Sequence, residues 1–72
     1  MMKRLETTKA NEIAKKLSEK YNETIVIYKG APDARYANGY FAYAQTWQGY
    51  AAAGTYGQMV ANSKTLKGLL EV

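Results

Sequence analysis

The chain has 72 residues, 10 Lys plus Arg against 6 Asp plus Glu for a formal charge of +4, and neither His nor Cys. That length suits one small domain, 1–72, which buries only roughly 60% of its unfolded surface. The missing side chains exclude disulfides, thiolate zinc sites, a cysteine nucleophile and the usual neutral-pH general base. Of the aids that steady so small a domain, partners and self-association remain. Met1-Met2-Lys3-Arg4 is basic, but no apolar run of signal-peptide length follows it. Nothing approaches the roughly 20 apolar residues of a membrane-spanning helix. The expectation is a soluble, cytoplasmic protein without a membrane partner.

The first predicted element is a helix. Ala10, Ile13, Ala14, Leu17 and Tyr21 share one helical face. Thr7 or Thr8 is the expected N-cap, Glu12 complements the dipole in the early turns, Glu12 and Lys16 form an i,i+4 pair, and Asn22 is the expected stop. Residues 24–29 form a β-branched run ended by Gly30, a strand apolar on both faces and therefore central. Gly30-Ala31-Pro32-Asp33 has turn chemistry, and a loop runs on to the turn pair Asn38-Gly39. Residues 40–47 alternate: Phe41, Tyr43, Gln45 and Trp47 point one way, Tyr40, Ala42, Ala44 and Thr46 the other. Gln48-Gly49 is a turn or bulge, residues 50–53 a third strand or, over the alanines 51–53, a helical stretch, residues 54–57 a turn, and residues 58–61 a short fourth strand. Ser63 or Asn62 is expected to cap a last short helix carrying Leu66, Leu69 and Leu70. The predicted fold class is α+β, an N-terminal helix packed on a small antiparallel sheet of three or four strands with a short C-terminal helix.

Charge is distributed unevenly. Residues 36–63 contain none, yet hold seven of the nine aromatics: Tyr36, Tyr40, Phe41, Tyr43, Trp47, Tyr50 and Tyr56. The face of the sheet opposite the core is expected to carry Ala, Thr, Gln and Tyr without a single ion. Exposed strands usually carry Lys, Glu or Pro against edge pairing, and charge depletion with aromatic enrichment marks interface cores. Tyr40, Tyr43, Trp47 and Tyr50 are therefore the expected partner-binding residues. Arg35 and Tyr36 join them as hot-spot residue types beside the Pro32 turn. The competing reading is that these rings build the core of a domain with few Leu and Ile.

Catalytic chemistry finds little to work with. The six carboxylates are scattered, and Glu12 and Glu19, seven apart on the first helix, read as a solvated face among lysines. Gly54-Thr55-Tyr56-Gly57 lacks the Gly-Lys-Ser/Thr of a phosphate loop. No catalytic, metal or cofactor site is expected. Lys9, Lys16 and Lys20 line one border of the apolar helical stripe. They either steer an acidic partner or lay their stems over the core edge. Asn38-Gly39-Tyr40-Phe41-Ala42-Tyr43 resembles the ribonucleoprotein signature of RNA-binding sheets, but has Asn38 where a basic residue belongs and Phe41 where a small one does.

The expected function is non-enzymatic binding by steric occupation of a larger protein's surface. In size and absent chemistry the chain resembles the short accessory proteins of phages and mobile elements that block a host machine, as anti-CRISPR proteins do. The alternatives are a small nucleic-acid-binding domain using the basic helix and aromatic sheet, and a homo-oligomeric structural subunit.

Overall fold

The computed structural model describes residues 2–45 and 57–71. It is α+β: a strand β1 (Lys3–Arg4), a helix α1 (Thr8–Tyr21), strands β2 (Ile25–Gly30), β3 (Gly39–Ala44) and β4 (Gln58–Ser63), and a closing 3-10 turn (Lys67–Leu70). The sheet is antiparallel throughout, in the order β1-β2-β3-β4.

The helix forms where the capping chemistry places it. Thr7 accepts a hydrogen bond on its Oγ1 from the Ala10 N–H at 3.2 Å, and Asn22 ends the helix in the left-handed region at φ 55°. The first turn holds no acidic residue, so Glu12 meets the dipole only from the second turn. Ser18 ties the helix end to the sheet: its hydroxyl donates to the Ala14 carbonyl at 2.7 Å and accepts from the Ile25 N–H at 3.2 Å. β2 is central, as its two apolar faces require, and Ile25, Val26 and Ile27 are all buried.

Two clusters fill the two faces of the sheet. Under α1 lie Ala10, Ile13, Leu17, Ile25, Ile27, Ala42, Ala44, Ala61 and Leu69. On the far face Met2, Phe41 and Tyr43 form a second cluster, with Tyr28, Tyr36 and Met59 packed against it. The helix thus rests on the alanine side of β3, and Phe41 and Tyr43 lie on the side away from it. The reason is steric: Ala42, Ala44 and Ala61 leave room for the larger Leu17 and Ile13 of the helix, whereas rings there would hold it off.

Several local expectations change. β1 is absent from the sequence reading, because two residues carry no periodicity; it pairs Lys3 with Lys29 and Arg4 with Tyr28. Gly39 does not form a hairpin tip with Asn38. It is the first residue of β3, paired with Gly30, and a Cβ there would stand 2.8 Å from the Ser63 carbonyl oxygen. Its glycine is needed for close approach of β4 rather than for a turn. β4 extends to Ser63, so neither Asn62 nor Ser63 caps a helix; the C-terminal helix is a single 3-10 turn. The turn at Gln48-Gly49 and the strand at 50–53 lie outside the described residues, as does all but Gly57 of the turn at 54–57.

Both edges of the described sheet carry features that hinder strand addition. β1 is two residues long and basic. On β4 the register passes from Ala61 opposite Ala42 to Met59 opposite Tyr43, leaving Val60 as an extra, bulged residue. The Val60 carbonyl accepts from the Tyr21 hydroxyl at 3.5 Å.

Candidate functional site

The helical period places Lys9 and Lys16 beside the buried Ile13, along the border of the apolar stripe. What lies next to that border is decided by the last residues of the chain. After β4 the backbone turns at Lys64 and Thr65. The Ser63 hydroxyl accepts from the Thr65 N–H at 3.3 Å, and the Thr65 hydroxyl accepts from the Gly68 N–H at 3.0 Å. Gly68 is buried in this turn, and a Cβ there would stand 2.9 Å from Thr65 Oγ1 and would collide with the Ser63 hydroxyl. Only glycine lets the turn close so tightly. Leu69 is then driven fully inside, while Leu66 and Leu70 stay half-buried and Lys67 points to solvent.

The result is a groove of about 380 Å³ between α1 and the 3-10 turn. Ile13, Leu66 and Leu70 give it an apolar lining, and Lys9, Lys16, Lys67 and Glu12 supply the charge. None of the three lysines belongs to either described ion pair, Arg4–Glu6 at 3.8 Å or Arg35–Asp33 at 2.8 Å. With three ammonium groups against one carboxylate, the rim favours an anionic occupant. The apolar lining favours one that also carries apolar surface.

Of the other described residues assigned to binding, the structure sets Tyr40 apart and keeps Tyr43, Tyr36 and Arg35 on the far side of the sheet. Tyr40 and Tyr43 lie on opposite faces of β3. Tyr40 is half-buried beside the helix-side cluster, with the Lys29 ammonium 5.4 Å from its ring. Tyr43 is 6% exposed, and its ring meets Tyr28 edge to face at 5.6 Å. Tyr36 packs edge to face on Phe41 at 5.5 Å. Arg35 is exposed, with its guanidinium 5.8 Å from the Tyr36 ring and engaged by Asp33: Nε to Oδ1 is 3.2 Å and the outer amine to Oδ2 is 2.8 Å. The Arg35 side chain, and then its backbone N–H, donate to the Asp33 carboxylate and hold it below the usual aspartate range. Trp47 and Tyr50 lie outside the described residues. Of the steering lysines, Lys9 and Lys16 line the groove; Lys20 does not line it, and its ammonium stands 5.3 Å from the Tyr21 ring.

Sequence reasoning missed the far wall of the groove. The sequence places Leu66 and Leu70 on a short helix and gives Lys67 no role. The available signal was the order Leu66-Lys67-Gly68-Leu69-Leu70, in which a charge sits inside an apolar run.

Among the described residues no group of three or more His, Cys, Asp or Glu is placed to hold a metal ion, and no helix is long and apolar enough to cross a membrane. No protein-family model, no curated protein and no solved structure matches the chain.

Proposed function

We propose that this chain is a non-enzymatic protein-binding module that acts by occupying an acidic surface of a larger protein. The observation that carries the reading is the apolar groove rimmed by Lys9, Lys16 and Lys67. The cationic rim draws in an acidic partner, and the apolar lining retains it once water is expelled. A nucleic-acid backbone satisfies the first requirement and leaves the exposed apolar surface of Leu66 and Leu70 without a counterpart, so the groove favours protein. The burial of Phe41 and Tyr43 within the chain moves the proposed contact from the aromatic strand to the lysine side. Binding without turnover, in the manner of the short phage-encoded inhibitors the chain resembles in size, is part of the proposal.

The test is affinity capture from extract of the native host, with and without nuclease, comparing the parent chain with a Lys9→Glu/Lys16→Glu/Lys67→Glu variant. We expect a captured protein that survives nuclease and disappears with the variant. All three lysines are exposed, so the variant keeps its fold, which far-UV circular dichroism checks. Capture that vanishes with nuclease, or that ignores the three lysines, refutes the reading.

A further inference from the structure

Resting on that reading, we infer that the groove receives an amphipathic α-helix of the partner, laid alongside α1, with acidic residues seven positions apart. Three features of the groove define this occupant. First, its charges are spread out. Lys9 and Lys16 are seven residues apart on one helix, so their stems leave the wall about 10.5 Å apart along its axis. Extended along the wall, the two ammonium groups offer two separate charges, and acids at positions i and i+7 of a parallel or antiparallel helix repeat at the same interval.

Second, the wall is not uniformly positive. Glu12 lies between the two lysines, three residues after Lys9 and four before Lys16. A continuous run of acids would meet repulsion there. The favoured partner has a neutral or basic residue midway between its two acids, which turns a general attraction into a register.

Third, the lining is apolar and belongs to both walls, with Ile13 on α1 and Leu66 and Leu70 on the 3-10 turn. Leu66 and Leu70 are half-buried, so each retains apolar surface to give to a ligand. A helix presenting apolar residues at i, i+3 or i+4, and i+7 sets one ridge into this slot, as helix-in-groove complexes do. Lys67 on the opposite wall then faces the flank of the same helix.

The probe is a fluorescently labelled synthetic 18-residue peptide of Leu, Glu, Lys and Ala. It carries leucines on one helical stripe, glutamates seven apart beside it and a lysine midway between them, and binding is read by fluorescence anisotropy. We expect saturable binding that falls at least roughly tenfold with Lys9→Glu/Lys16→Glu and recovers when the peptide's two glutamates become lysines. Leu70→Asp weakens binding of the original peptide as well, and circular dichroism of each variant reports whether the fold is intact. Replacing the peptide's midway lysine with glutamate should also weaken binding, because it then faces Glu12.

Equal binding of a scrambled peptide of the same composition overturns the inference, since general charge attraction then suffices. Equal binding of a single-stranded oligonucleotide of matched charge overturns it in favour of a polyanion site. Absence of peptide binding while lysine-dependent, nuclease-resistant capture persists overturns the helical occupant alone and leaves the protein-binding function standing. Peptide binding together with capture that vanishes under nuclease keeps the occupant and removes the proposed function.

Discussion

On one side of the sheet, alanines and aliphatic side chains lie under a helix; on the other, rings and methionines bury one another. The helix side joins α1, three strands and the C-terminal turn, so its fully covered side chains, Leu17, Ile27 and Leu69, hold together segments far apart in sequence. The far side depends on edge-to-face rings, Tyr28 on Tyr43 and Tyr36 on Phe41, with Met2 and Met59 beside them. β3 is thereby buried on both faces. A strand buried on both faces has no place for an ion, which accounts for the absence of charge between Tyr40 and Ala44 without any partner. Charge depletion in a sequence therefore marks burial, and does not by itself say whether the covering surface belongs to another molecule.

Perturbing each side separately tests this contrast. The largest effect should come from Leu17→Ala, which empties a site 1% exposed under the sheet and costs about 2–5 kcal/mol. Because α1 and the sheet share that site, helical and near-ultraviolet signals should be lost together on thermal melting. Loss of the helix alone would show that the two layers are less coupled than the packing implies.

A smaller change is expected on the far side. Phe41→Leu keeps the position apolar and removes the ring that Tyr36 meets edge to face, a contact worth about 0.5–1.5 kcal/mol beyond area. The tyrosine near-ultraviolet signal should change while the helical signal and its cooperativity stay. Collapse of the helical signal at the same temperature as in Leu17→Ala would erase the distinction between the faces.

The smallest effect belongs to the connection that brings Tyr36 over Phe41. Arg35 donates to the Asp33 carboxylate, so the folded chain holds that carboxyl below its unfolded value. The linkage sign follows: the pair is intact above the ordinary aspartate range and is lost as pH falls through the lowered value. Carbon-detected NMR should find the Asp33 titration midpoint in the folded chain below that in urea. Coincident midpoints would mean that the ion pair does not order this loop.

Much of the first half of the fold was legible beforehand, because its determinants act within a few residues. Thr7, the spacing from Ala10 to Tyr21, and Asn22 specify a helix through local hydrogen bonds and periodicity. The unbroken apolar run at 25–27 specifies a central strand. The site was only half visible. Lys9 and Lys16 could be placed on a helical border, but the wall facing them comes from residues more than 45 positions later.

By itself, then, the sequence determined one charge-free, ring-rich segment, one capped helix with a lysine border, and an α+β class. Tertiary structure alone decided that alanines rather than rings receive the helix, that Val60 bulges at the edge, and that Gly39 admits β4. It also decided that Gly68 folds a 3-10 turn against Lys9 and Lys16. Periodicity says which residues share a face, since that follows from the backbone repeat. Which face meets which depends on how distant segments fill space, and no local pattern records it.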